Sequence, residues 1–95
     1  MTTPRKLGEA GRYARVNGQS TQQTVSSVPA VLQRIVVSNS APAVGTITLG
    51  DGANTLGVWT IPASTTVPIE IGVACLTSVL CTPSATTLDI LFVLD

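Results

Sequence analysis

The sequence predicts an all-β protein, a small β-sandwich or jelly-roll-like domain with an extended N-terminal arm. Three observations carry that expectation. From residue 24 onward, short runs of alternating apolar residues rich in Val, Ile and Thr recur at roughly 8 to 12 residue intervals, separated by Gly, Pro, Asn and Ser clusters. Nowhere does an apolar stripe at helical spacing appear. Composition agrees: 44% of residues are apolar and only 11% charged, which describes a packed β module with little surface to spare for solvent.

Residues 1–23 differ in kind from the rest and are expected to form the arm, with residues 24–95 as the body. The first stretch is rich in Gly, Arg, Gln and Thr, and Gly8, Gly11 and Gly18 would break a helix attempted there. Net charge is zero over the chain, yet its distribution is lopsided. Arg5, Lys6, Arg12 and Arg15 against Glu9 leave the first fifteen residues at 4 − 1 = +3, while Arg34 against Asp51, Glu70, Asp89 and Asp95 leaves the remainder at 1 − 4 = −3. A basic arm on an acidic body points to an arm that lies on an acidic surface. Its candidate partner-binding residues are Arg5, Lys6, Arg12, Tyr13 and Arg15.

The body then reads as a series of strands. A short one is expected over 24–27, ending at Pro29, a residue suited to strand ends. Over 31–38 the alternation sets Val31, Gln33, Ile35 and Val37 against Leu32, Arg34, Val36 and Ser38. Residues 39–42, Asn-Ser-Ala-Pro, form a turn by composition. The strand over 45–49 opposes Thr46 and Thr48 to Ile47 and Leu49, and Gly50-Asp51-Gly52-Ala53-Asn54 turns the chain, since Asp-Gly favours the positive φ of a hairpin. A strand over 56–61 places Trp59 and Ile61 on one face. The next, over 67–73, alternates Val67, Ile69, Ile71 and Val73 against Pro68, Glu70 and Gly72, and another follows over 76–81. The closing strand, 86–94, is the greasiest: Leu88, Ile90, Phe92 and Leu94 share one face, while Leu91 and Val93 sit with Asp89 on the other. Such a strand needs cover on both sides. Trp59, Leu91, Val93 and Arg34 are therefore the candidate residues of an oligomer interface: Trp59 as a large amphipathic anchor, Leu91 and Val93 as apolar surface, Arg34 as an ion-pair partner.

Several functions are excluded or disfavoured. With 95 residues and no histidine, there is no imidazole to activate Cys75 or Cys81 as a nucleophile, the carboxylates are scattered over different elements, and no enzymatic activity is expected. No cofactor is expected, and no metal: the paired cysteines of a zinc site are missing, and the turn at 50–54 lacks the repeated oxygen ligands of a calcium loop. Sugar-binding modules ordinarily expose several aromatic rings, against one Trp and one Tyr here. Nucleic acid is disfavoured as a partner because Tyr13 alone is available for stacking in the basic stretch. Arg5 and Lys6 are not followed by the apolar run of a secretory signal, and no 18-residue apolar span exists for a membrane helix. Synthesis in the cytosol, with both cysteines reduced, is the expectation.

Four runs carry a resemblance to a known group: Pro29-Ala30-Val31-Leu32-Gln33-Arg34-Ile35-Val36-Val37-Ser38-Asn39; Gly45-Thr46-Ile47-Thr48-Leu49-Gly50-Asp51; Leu76-Thr77-Ser78-Val79-Leu80-Cys81; and Leu88-Asp89-Ile90-Leu91-Phe92-Val93-Leu94. Together they resemble small β-sandwich virion proteins of tailed bacteriophages, over roughly residues 28–95. The closing strand is greasier, and the turn after Leu49 longer, than that pattern requires. The resemblance implies a capsid decoration or cement protein, made in the host cytoplasm. Such a protein sits on the phage head surface as a symmetric homo-oligomer, dimer or trimer, and bridges copies of the major capsid protein. A tail, baseplate or fibre-attachment component is the nearest variant.

Overall fold

The computed structural model describes residues 12–95. They form eight strands: β1 (Arg12–Asn17), β2 (Gln23–Ser26), β3 (Ala30–Asn39), β4 (Gly45–Asp51), β5 (Asn54–Ile61), β6 (Thr65–Cys75), β7 (Val79–Pro83) and β8 (Leu88–Leu94). They build two antiparallel four-stranded sheets, ordered β1-β8-β3-β6 and β2-β7-β4-β5. Only β4 and β5 are both consecutive in sequence and paired as a hairpin; every other connection crosses between sheets. That interleaving is the order of a jelly roll, so the expected fold class holds and its topology is now specific.

The core lies between the sheets. Leu32, Ile35 and Val37 of β3 meet Ile47 and Leu49 of β4, Val79 and Cys81 of β7, and Leu88, Ile90 and Phe92 of β8, all fully buried. These are the apolar halves of the period-two patterns, and burying them on both inner faces is what sets the strands in register. Among the described residues two polar side chains are buried, Ser26 and, more deeply at the end of β3, Asn39. Its Nδ2 donates to the carbonyls of Ala43 (2.9 Å), Pro62 (3.3 Å) and Ile61 (3.4 Å), and its Oδ1 accepts from the Ala41 amide (3.0 Å) and the Thr87 hydroxyl (3.3 Å). One side chain thus ties three crossover loops together at that end of the sandwich.

Several expectations need correction. Residues 12–23 are not arm: Arg12–Asn17 pairs along its whole length with β8, Val16 is buried in the core and Ala14 packs against it. The alternation Ala14, Val16 inward and Tyr13, Arg15, Asn17 outward is a strand pattern masked by its Gly, Arg and Asn content. Arg5 and Lys6, and residues 1–11 generally, lie outside the described residues. In β3 the expected alternation breaks, because two residues of β3 answer one of β8 between Leu32 and Arg34. That bulge resets the parity, so Leu32 joins Ile35 and Val37 inside while Val31, Arg34 and Val36 face out. Finally, the strand expected from residue 76 begins at Val79, because the amides of Leu76, Thr77 and Ser78 are all taken by the Asp51 carboxylate at 2.9, 2.9 and 3.1 Å.

Candidate interaction face

The outer face of the β1-β8-β3-β6 sheet gathers most of the candidate residues. Strand register lays them out as three rows across the sheet: Tyr13, Val93, Arg34 and Glu70; then Arg15, Leu91, Val36 and Pro68; then Asn17, Asp89, Ser38 and Thr66. The middle of this grid is apolar and its flanks are charged. Tyr13 is 80% exposed and Leu91 37%, while Val36 and Val93 are half-buried by their neighbours.

Two ion pairs frame the apolar centre. Arg15 grips Asp89 in a fork, Nε to Oδ1 at 2.8 Å and Nη2 to Oδ2 at 2.5 Å, the bidentate geometry that makes guanidinium–carboxylate contacts strong. Its hydrogen bonds hold the Asp89 carboxyl below the usual carboxylate range and raise the Arg15 guanidinium further. Arg34 lies 3.7 Å from Glu70 on the neighbouring strand, both side chains largely exposed. That pair is long and solvated, and such pairs hold loosely. Ser38 and Thr66 hydroxyls meet at 3.0 Å in the third row. A shallow groove of about 360 Å³ runs over this region, lined by Tyr13, Arg15, Val36, Ser38, Asp89 and Leu91. A second, of about 290 Å³, adjoins it at Ser38 and is lined by hydroxyl and amide side chains from Asn39 to Thr66.

The face unites residues that sequence reasoning had placed in two separate groups. Tyr13 and Arg15, expected on the arm, lie beside Leu91, Val93 and Arg34, expected at an oligomer contact; Arg12 opens the same strand. Trp59 stands apart. It is on β5 of the other sheet, opposite Ile47, half-buried and packed against the core, with its ring so close over Gly57 that an added Cβ there would lie 3.0 Å from it. Val36, Pro68, Glu70, Ser38 and Asp89 were missed as members of the face. Their signal was present in the sequence as the outward half of each alternating strand, but which strands are neighbours was not.

Among the described residues no three His, Cys, Asp or Glu side chains cluster as metal ligands do. Both cysteines are free and buried; burial pushes the Cys81 thiol up to about 12 and, with the Asp51 charge, raises that of Cys75. No helix among the described residues is long and apolar enough to cross a membrane.

Compared with known protein families and with curated proteins, the chain matches no family model and no sequence. Among solved structures it is similar to a carbohydrate-binding module from Cellvibrio mixtus lichenase 5A, in complex with cellotriose. The match has a TM-score of 0.57 at 17% identity and covers 84% of this chain and 74% of that one. Likeness at that identity is likeness of fold: a β-sandwich.

Proposed function

We propose that this chain is a non-catalytic structural protein of a tailed-phage virion, a decoration or cement protein. It binds the outside of the head as a symmetric oligomer and strengthens contacts between major capsid proteins. The observation that carries the reading is the outer face of β1-β8-β3-β6, where exposed Leu91 and half-buried Val93 and Val36 lie among Arg15, Asp89, Arg34 and Glu70. An apolar centre with a polar rim is the anatomy of a protein contact. The jelly roll, a fold that capsid domains use repeatedly, supports the reading at the level of fold analogy, as do the sequence runs of β3, β4 and β8. In this scheme the body self-associates and the basic residues Arg5 and Lys6 reach the shell, so that many weak contacts add up over it. The test is light scattering of the purified chain, alone and with empty phage heads. A reversible oligomer that sediments with heads is the expected result. Sedimentation with tails instead selects a tail, baseplate or fibre-attachment role, and a monomer that ignores both overturns the proposal.

One observation favours a second reading, a saccharide-binding module. The exposed Tyr13 ring stands beside the Arg15–Asp89 fork over a groove whose next residue is the Ser38 hydroxyl. An aromatic platform next to fixed polar groups is what stacks on and hydrogen-bonds a sugar ring, and the similar Cellvibrio module was seen with cellotriose. Calorimetric titration with cello-oligosaccharides separates the two: heat that disappears in Tyr13→Ala favours the sugar, and no heat leaves the protein contact.

A further inference from the structure

We infer that Asn17 is a site of spontaneous chemical modification: the Gly18 amide nitrogen closes on the Asn17 side chain, ammonia leaves, and a carboxylate appears opposite Asp89 on the β1-β8-β3-β6 face. The change does not depend on what that face binds.

Position and backbone shape open the site. Asn17 is the last paired residue of β1 and is exposed, and residues 18–22, outside any strand, are exposed after it. Gly18 turns the chain with φ at +73°, a conformation that favours glycine, and nothing lies within 4 Å of the place where a Cβ would sit. The turn therefore demands the one residue type with no side chain beside its amide nitrogen, and an unshielded nitrogen is what ring closure onto a preceding Asn needs. The backbone rotation that closure requires is also cheap here. β1 is an edge strand paired on one side only, and its last buried side chain is Val16, so rotation at Asn17 frays one strand end and leaves the core in place.

The related positions are shut. Asp51-Gly52 has the same spacing, but both Asp51 oxygens hold the amides of Leu76, Thr77 and Ser78, and the Gly52 amide donates to Ser78 Oγ at 3.1 Å. Asn39 is 3% exposed, with both its Nδ2 and its Oδ1 engaged. Asn54 precedes Thr55 within β5, and a β-branched side chain crowds its own nitrogen.

The steps balance with water and hydroxide alone. Hydroxide takes the Gly18 amide proton, the nitrogen bonds to Asn17 Cγ, and the Cγ–Nδ2 bond breaks, with Nδ2 leaving as ammonia. Water then opens the cyclic imide. Attack at Cγ leaves an aspartyl residue, and attack at the main-chain carbonyl leaves an isoaspartyl one, with the chain running through Cβ. Either way a negative charge arises directly across from Asp89, the register partner of position 17, where like charges repel. Arg15 reaches diagonally to Asp89 in its fork and faces the same outward side as position 17, so its guanidinium is then divided between two carboxylates. The face loses the charge balance of its two ion pairs.

The test incubates the folded full chain in warm, mildly alkaline buffer, with a urea-unfolded sample beside it, and follows ion-exchange elution, released ammonia and peptide mass. The expected result is a single more acidic species in the folded chain, growing faster as pH rises and mapping to the peptide that contains residue 17, with isoaspartyl product present. It co-elutes with Asn17→Asp and is absent from Asn17→Gln, whose longer side chain would have to close a less favourable ring. Thermal melts then read the fork: Asp89→Asn should lower the melting temperature of the parent and raise that of Asn17→Asp, a change of sign that only coupled residues give. An acidic species found in the unfolded sample alone, or one that maps to another residue, overturns the site. Shifts of the same sign in both backgrounds overturn its effect on the fork.

Discussion

Asn39 offers the sharpest test of how this sandwich is held at one end. Its side chain is 3% exposed and makes five contacts with the loops that follow β3, β5 and β7. Because Nδ2 has two hydrogens for three carbonyls, the two longer bonds share one donor, leaving four independent hydrogen bonds. In Asn39→Ala the Ala43 and Ile61/Pro62 carbonyls and the Ala41 amide lose their partner, while the Thr87 hydroxyl can rotate toward water. Three bonds at about 1 kcal/mol each, with water reaching some of the vacated groups, give a loss of about 2 to 3 kcal/mol. For a domain of this size that lowers the melting temperature by on the order of 10 to 20 °C. Urea unfolding followed by Trp59 fluorescence reads it directly, with the midpoint shifted and the slope unchanged. Asn39→Asp keeps the acceptor but turns an oxygen toward three carbonyls, so it should be at least as damaging near neutral pH and partly relieved by acid. An Asn39→Ala protein within about 0.5 kcal/mol of the parent would refute the idea that this residue binds the loops together.

Three further predictions follow from the core and the turns. Phe92→Ala, at a fully buried position in the middle of β8, should cost about 3 to 5 kcal/mol through lost burial and the cavity left behind; chemical denaturation would show it, and a loss below about 1 kcal/mol would mean that the core collapses to fill the space. Gly57→Val should displace the indole of Trp59, which an added Cβ would approach to 3.0 Å, seen as a red-shifted emission and a stability loss of about 1 to 3 kcal/mol from overpacking; unchanged emission would show that the ring moves freely. The Asp51 carboxyl is lowered by amide donors from Leu76, Ser78 and Thr77, so its stabilising contribution is present above the unfolded-state value near 4 and is lost as pH falls through the lower folded-state value. Thermal melts of the parent should therefore fall on acidification more steeply than those of Asp51→Asn, and parallel profiles would remove Asp51 as the latch of the β6–β7 loop.

The fold class was legible because it depends on local alternation, and all seven strands of the body could be placed from it, with shifted ends. What escaped were features set by partners distant in sequence. β1 reads as arm because Arg12, Arg15 and Asn17 dominate its composition; only the pairing with β8, more than seventy residues away, shows that Arg15 has Asp89 as its neighbour. The bulge at Gln33 has no local mark, and it moves Leu32 and Val31 to opposite faces from those that a regular strand gives them. The Leu76–Ser78 amides look available for a ladder until the Asp51 carboxylate is seen to hold them. The candidate face suffered most, since it is made from the outward halves of four strands whose order sequence periodicity does not contain. Leu91 and Val93 were identifiable because their apolar character on the outward face violates the pattern, whereas Val36 and Pro68 join them only through the sheet order.

The two outer faces of the sandwich are unlike, and that difference bears on how the proposed shell contact would be made. Thr46, Thr48, Thr60 and Thr82 point outward from β2-β7-β4-β5, with Val58 and Leu80 among them and no charged residue on those strands' outer positions. Their hydroxyls suit water, while the opposite face carries the apolar centre and both ion pairs. An oligomer formed through that second face, as the proposed function has it, would leave the threonine faces outward. The chain enters β1 at Arg12, at the rim of the sheet, opposite Leu94. Residues 1–11, with Arg5 and Lys6, are tethered there, and eleven residues reach at most about 36 to 40 Å from the rim. Under the proposed cement reading, deleting residues 1–11 should leave melting unchanged and abolish sedimentation with heads, and head binding by the parent should weaken as salt screens Arg5 and Lys6. Retention of head binding by the truncated chain would place the shell contact on the sandwich itself, with the threonine face as the surface left to make it.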